Sequence, residues 1–192
     1  MERNNRKKRI FTIFIILAII CIAGYFMYSY YTSLTTSWLT YESEQSGYSV
    51  KYPKGFTRKS IGLTDTDWQY NPEIADIYKE GVVISKLTRD VKFLISVYKN
   101  SSNLNLRDWI NHYIANDSEE IIKELDNDFE DKEINGMPAL QDELRTKNQI
   151  IIEVFTAKND LIFNISYLAT ASQDNNLDDK IFQRFLSTLR FE

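Results

Sequence analysis

Hydrophobic and polar positions change their spacing repeatedly along the chain, and each spacing predicts a different element. Residues 10–31 are 22 positions without a charge, dominated by Ile, Leu, Phe and Tyr. At about 1.5 Å per helical residue their most apolar part, 10–27, spans roughly 27 Å, close to a hydrocarbon core of about 30 Å. The run predicts one transmembrane helix, with Ile10, Phe14, Leu17, Ile20, Tyr25 and Tyr28 as its anchoring positions. Tyr25, Phe26, Tyr28, Tyr30 and Tyr31 crowd its far end, where amphipathic rings favour the headgroup layer. No small-residue cleavage site follows the run, so it predicts an uncleaved anchor and not a signal peptide.

From about Tyr41 the pattern turns to short alternating segments. Tyr48, Val50 and Tyr52 alternate with Ser49 and Lys51, the period of a half-buried strand, and Pro53 and Gly55 close it with a turn. Residues 82–88 and 91–98 predict two more strands around an Arg89-Asp90 turn, with Val91, Phe93, Ile95 and Val97 on one face. The period then becomes helical. Leu106, Trp109, Ile110, Tyr113 and Ile114 fall on one stripe, with Asn103 or Asn105 as N-cap. A second short helix is expected over 118–125.

Strands are expected over 129–134, 139–146, 149–157 and 161–168, joined by a Gly136-Met137-Pro138 turn and the polar connections Lys147-Asn148 and Lys158-Asn159-Asp160. Ile150, Ile151 and Ile152, followed by Val154 and Phe155, predict a strand covered on both faces. Leu177, Ile181, Phe182, Phe185, Leu186 and Leu189 form the apolar face of a last helix, capped by Asn175, Asn176 or Asp178, and Phe191 closes the edge. The fold class is therefore α+β: an N-terminal transmembrane helix, then an antiparallel β-sheet flanked by helices in an α/β/α sandwich. The domain organisation reads as a basic tail over 1–9, the anchor over 10–31, a linker over 32–46 and an exported domain over 47–192.

Charge adds a topology. Arg3, Arg6, Lys7, Lys8 and Arg9 precede the apolar run, so the positive-inside rule keeps the N-terminus cytoplasmic and sends the rest across the plasma membrane. With Glu2 the only acid there, the remainder holds 18 basic and 26 acidic residues, a net charge of −8. A body that acidic excludes nucleic acid as a partner, because phosphates require clustered cations. One His and one Cys, Cys21 inside the apolar run, exclude disulfide frameworks and Cys/His zinc sites.

The segment Tyr48-Ser49-Val50-Lys51-Tyr52-Pro53-Lys54-Gly55-Phe56 and the helix opening Leu106-Arg107-Asp108-Trp109-Ile110 resemble the PsbP-like family. So do Ile134-Asn135-Gly136-Met137-Pro138-Ala139 before a meander, and the ending Phe185-Leu186-Ser187-Thr188-Leu189-Arg190-Phe191. That family shares its fold with Mog-type Ran-binding proteins, and the resemblance runs over 47–192. It implies a non-enzymatic accessory protein on the outer face of an energy-transducing or envelope membrane. Plant members assist photosystem II and influence calcium and chloride retention. This chain departs from them: it has an anchor in place of a transit peptide, no basic arm on the domain, and a single His, His112. No photosynthetic role or metal ligand transfers to it.

Little chemistry is specified. His112 and Asp108 lie one turn apart on the first predicted helix, but no G-x-S-x-G elbow supplies a nucleophile, and His112 reads as a solvated surface residue. The six glycines are too scattered for a phosphate cradle. Acidic clusters stand out: Asp126, Asp128, Glu130, Asp131 and Glu133, then Asp174, Asn176, Asp178 and Asp179, then Asp65 and Asp67. Calcium takes six to eight oxygens, which makes Asp126, Asp128, Glu130 and Asp131 the candidate ligands. The first cluster has Asp131 where an EF-hand needs Gly and Met137 where it needs Glu, so a solvated acidic loop is the plainer reading. N-x-[ST] sequons occur at Asn100, Asn116 and Asn164. The expectation is a membrane-anchored, non-enzymatic binding or assembly module with no cofactor. Its partners are the bilayer, through one helix, and another membrane or envelope protein. The alternatives are a calcium-binding accessory protein and an exported hydrolase.

Overall fold

The computed structural model describes residues 16–17, 19–25, 37–62, 72–86, 91–114, 129–170 and 175–192. The chain divides into two compact units, Met1–Leu39 and Thr40–Glu192. In the first, residues 16–17 and 19–25 are helical, and Ile16, Leu17, Ile19, Ile20, Ile22 and Tyr25 are all more than half exposed. Among the described residues no helix is long and apolar enough to cross a membrane. Of the expected anchor positions, Ile10, Phe14 and Tyr28 lie outside the described residues, as do Arg3, Arg6, Lys7, Lys8 and Arg9.

The second unit is built on two antiparallel sheets. The small one has the order β1 (Trp38–Ser43), β2 (Tyr48–Pro53), β10 (Arg190–Phe191). The large one runs β3 (Thr57–Ile61), β4 (Tyr78–Lys86), β5 (Val91–Lys99), β9 (Leu161–Thr170), β8 (Gln149–Lys158), β7 (Met137–Arg145), β6 (Glu130–Ile134). Helices α1 (Pro72–Ile77), α2 (Leu106–Tyr113) and α3 (Asn175–Thr188) complete it.

Register assigns the faces. Phe93, Ile95 and Val97 of β5 lie opposite Tyr167, Ile165 and Phe163 of β9, so these six share one face, and all are buried. Onto it packs α3, whose Phe185 stacks on Phe93 with ring centroids 4.8 Å apart and whose Phe182 stacks on Tyr167 at 5.2 Å. The small sheet covers the rest of that face, with Tyr48 and Phe191 edge-on to Phe163 at 5.6 and 4.7 Å. The opposite face carries a second core of Tyr98, Phe155, Ile162 and Leu140, closed by Trp109, Ile110 and Ile114 from the α2 segment and by Ile74 and Ile77 of α1. The expected sandwich is present.

Several expectations are corrected. The stretch 32–46, read as linker, contains β1, which holds only one inward hydroxyl (Ser43) between exposed neighbours and so has no apolar alternation to detect. Strand β3 was invisible for the same reason: four of its five residues are exposed. Helix α1 is six residues long, too short to show a period. Strand β4 begins at Tyr78 and not 82, because a bulge between Tyr78 and Glu80 breaks the alternation there. The turn expected at Gly136-Met137-Pro138 is Asn135-Gly136, both at positive φ (50° and 83°), and Met137 already pairs with Ile134. Lys158 pairs with Leu161, so that connection is the two residues Asn159-Asp160.

Two caps are resolved. Asn105 is the N-cap of α2, its side chain accepting from the Asp108 N–H at 2.9 Å, while Asn103 sits in a left-handed turn (φ 50°). Helix α3 starts at Asn175, which places Asn176 and Asp178 inside it and not before it. The strand of isoleucines, β8, is buried on one face by Ile150, Ile152, Val154 and Thr156 and on the other by Phe155, beside which Ile151, Glu153 and Ala157 are half-buried. The helix predicted over 118–125 and the Arg89-Asp90 turn lie outside the described residues.

Candidate functional site

The acidic cluster nominated for calcium is not assembled into an oxygen cage among the described residues. Glu130 and Asp131 are consecutive on β6 and point to opposite faces of the sheet. Glu130 takes a 2.8 Å ion pair from Lys132, whose hydrogen bond holds its carboxyl below the usual value. Asp131 instead meets the Arg107 guanidinium of α2 at 3.4 Å. Asp126 and Asp128 lie outside the described residues. No group of three or more His, Cys, Asp or Glu side chains suited to a metal ion occurs among the described residues.

The Asp108–His112 pair does not form. Asp108 accepts a hydrogen bond from the Asn105 amide, and His112 faces Glu73 of α1 at 3.8 Å, edge-on to the Tyr113 ring. Two of the sequon asparagines have structural roles. The buried Asn100 side chain donates to the Leu104 carbonyl at 2.7 Å and accepts from the Leu104 N–H at 3.1 Å, closing the loop before α2. Asn164 is buried in β9. Asn116 lies outside the described residues.

Two polar sites that sequence reading did not find lie on opposite faces of the large sheet. The first surrounds Glu153. Register aligns Asp142, Glu153 and Ser166 across β7, β8 and β9 on the face that carries α1 and α2. Asn164 and Ser166 both donate to Glu153 Oε1 at 3.2 Å, and Ser166 Oγ lies 3.0 Å from Asn164 Oδ1. Burial pushes the Glu153 carboxyl above its usual value against those two hydrogen bonds, and Asp142 pushes it further. Burial likewise raises Asp142. The available signal was an acid inside an apolar run, opposite a strand whose Asn164 and Ser166 break its own apolar face.

The second site is an open cleft of about 590 Å³ between β1, the β1–β2 turn, β3 and β4. Its walls are Tyr41, Glu42, Ser43 and Glu44 from the β1 segment, Arg58 from β3 and Glu80 from β4. The Ser43 hydroxyl donates to Glu80 Oε1. The Arg58 guanidinium lies over the Tyr41 ring, 5.4 Å from its centroid, a cation–π contact. Lys79 Nζ donates to the Gln45 carbonyl at 2.6 Å and pins the turn. Beneath Tyr41 the Tyr48 ring is almost fully enclosed, edge-on to it with ring centroids 5.8 Å apart. Burial and the Glu80 charge both raise the Tyr41 phenol above its usual value, and Tyr48 is raised by burial first and then by Tyr41 and Glu80. Polar neighbours on three strands thus converge on one carboxylate.

No protein-family profile matches the chain, and no curated protein matches it in sequence. Solved structures do match. A protein of Bacteroides thetaiotaomicron VPI-5482 is 12% identical with a TM-score of 0.53, covering 80% of this chain and 48% of its own, so this chain spans about half of its length. Cyanobacterial PsbP (CyanoP) of Synechocystis sp. PCC 6803 is 14% identical with a TM-score of 0.54, covering 81% of this chain and 93% of its own. The Ran-binding protein Mog1p of Saccharomyces cerevisiae is 9% identical with a TM-score of 0.46, covering 81% and 95%. By class the domain is an antiparallel sheet with flanking helices. Its fold is PsbP-like. At these identities the likeness speaks of fold and of nothing further.

Proposed function

We propose that the chain is a single-pass, membrane-anchored binding or assembly module without catalysis or cofactor of its own. The N-terminus is cytoplasmic and the PsbP-like domain extracytoplasmic. The observation that carries this reading is the uncharged run 10–31 behind five basic residues. Within its described part, exposed Ile16, Leu17, Ile19, Ile20 and Ile22 are spaced so that they leave no polar side to the helix. A helix apolar on every side is unstable in water and stable in lipid. Anchoring confines the domain within a linker's length of the bilayer and raises its effective concentration toward membrane-bound partners. An envelope or membrane protein is the partner class this geometry favours.

Cross-linking of the full-length protein in its own membranes, with capture and mass spectrometry, tests the reading, using residues 1–40 alone as control. One partner recovered only with the domain attached is the expected result. Recovery of nothing beyond the control refutes an assembly role, and release of the full chain by carbonate washing refutes the anchor.

A further inference from the structure

The polar cluster on Glu153 closes into a ring of contacts: Asn164 Nδ2 to Glu153 Oε1 at 3.2 Å, Ser166 Oγ to Glu153 Oε1 at 3.2 Å, and Ser166 Oγ to Asn164 Oδ1 at 3.0 Å. Each contact needs a hydrogen between its two heavy atoms. The amide supplies one, and the serine hydroxyl, with its single hydrogen, supplies a second. An ionised carboxylate has none to give, so one contact would join two acceptors. Turning the amide over exchanges its oxygen and nitrogen and leaves that count unchanged. Asn164 and Ser166 are 5% and 7% exposed, which leaves water little access to the gap. A carboxylic acid fills it: Glu153 donates to Ser166 Oγ, whose own hydrogen goes to Asn164 Oδ1.

The surroundings favour the same state. Register puts Asp142 of β7 opposite Glu153, acid beside acid. Among the described residues on this face of the sheet, β6 adds Asp131 and Glu133, and the lysines Lys59 of β3 and Lys92 of β5 stand at least two strands from β8. Helices α1 and α2 turn Ile74, Ile77, Trp109 and Ile110 inward and keep Glu73, Asp76, Arg107, Asp108 and His112 exposed. The buried phenol of Tyr98 is raised by burial and further by the Glu153 charge, so the two lie within electrostatic reach; Tyr78, opposite Tyr98, donates to the Ile61 carbonyl. Two residues along β8 from Glu153, Phe155 belongs to the core that α1 and α2 close, so a charge at 153 forms at the border of that core. We propose that Glu153 is held as a neutral carboxylic acid whose proton closes this ring and latches the α1–α2 layer onto the sheet. Rising pH takes that proton to solvent, leaves two acceptors face to face beside Asp142, and loosens the layer. The latch lies wholly within the domain and stands or falls independently of the membrane reading.

The test uses the full chain in mild detergent, with carbon-13 at the glutamate carboxyls and the Glu153 signal assigned by its loss in Glu153→Gln. Expected is a Glu153 carboxyl still in its protonated position at about pH 6, where exposed glutamates have already titrated, and moving only at higher pH. Hydrogen exchange of the α2 amides, corrected for intrinsic rates, should lose about tenfold or more of its protection across that same step. Glu153→Gln carries the missing hydrogen at every pH and should keep α2 protected throughout. Asp142→Asn removes the neighbouring charge and should move the step to lower pH. A Glu153 carboxyl that titrates with the exposed glutamates, or α2 protection that falls alike in the parent and in Glu153→Gln, overturns the latch. So does a step that millimolar calcium displaces, which would make the gap a cation's and not a proton's.

Discussion

Gly81 of β4 is closely covered by Tyr78 and Ile61, and replacing it with alanine is a sharp test of the architecture. The bulge between Tyr78 and Glu80 brings Tyr78 onto the same face as Gly81, since their partners on β5 are Tyr98 and Ser96. The Tyr78 ring crosses the bare glycine and donates its hydroxyl to the Ile61 carbonyl of β3 at 2.8 Å. An alanine Cβ at 81 would lie 2.5 Å from Tyr78 Oη and 2.7 Å from Ile61 Cγ1. The phenol must move, which breaks a hydrogen bond worth about 0.5–1.5 kcal/mol. Overpacking against Ile61 adds about 1–3 kcal/mol. Gly81 is not at positive φ, so alanine recovers roughly 0.5–1 kcal/mol of backbone entropy. Gly81→Ala should therefore cost about 2–3 kcal/mol.

The partner variant isolates the cause. Tyr78→Phe removes the Oη that the new Cβ meets and costs about 1 kcal/mol by itself. In that background Gly81→Ala should cost about 1 kcal/mol less than in the parent. Equilibrium urea unfolding of the four proteins of the cycle, followed through the fluorescence of buried Trp109, measures the coupling. Additivity within about 0.3–0.5 kcal/mol would refute the proposed contact, because residues that touch must couple. A Gly81→Ala protein as stable as the parent would refute the bulge register itself.

Asn135→Gly keeps the positive-φ turn but removes the amide that donates to the Leu186 and Leu189 carbonyls at 3.2 and 2.7 Å; thermal unfolding should show a loss of about 1–2 kcal/mol, with Asn135→Ala losing more. Glu153, whose carboxyl is raised by burial, contributes stability that is whole below the ordinary glutamate value of about 4.3 and is lost as pH rises through its higher folded value. Glu153→Gln should accordingly melt above the parent at pH 8 and lose that advantage at pH 4; an advantage confined to low pH would reverse the sign and sink the assignment. Millimolar calcium should leave the melting temperature of the full chain unchanged, and a rise abolished by Asp126→Asn would instead establish the calcium-accessory alternative.

The elements legible in the sequence are those whose side chains alternate between two unlike environments. Strand β5 and helix α2 were readable because Phe93, Ile95 and Val97 recur at period two and Trp109, Ile110 and Ile114 at a helical period, and each set is buried. The same logic explains the failures. Strands β1 and β3 are terminal and mostly exposed, so neither has a buried face to write into the sequence. The start of β4 was lost because a bulge places two residues against one and shifts the period.

Candidate chemistry was legible only where it was contiguous. The acids from Asp126 to Glu133 stand out because they are neighbours in sequence, yet neighbours on a strand point apart, and Glu130 and Asp131 pair with Lys132 and Arg107. Charges on a terminal strand have a sufficient purpose in keeping other chains from pairing with it. The cleft is the converse case. Tyr41, Arg58 and Glu80 come from β1, β3 and β4; β3 pairs with β4, and Tyr41 reaches them because β1, beyond β2 in sequence, lies along the same cleft. Its outer wall comes from the segment read as linker, whose charges are Glu42 and Glu44 and whose side chains follow no apolar period, so nothing there announces a strand.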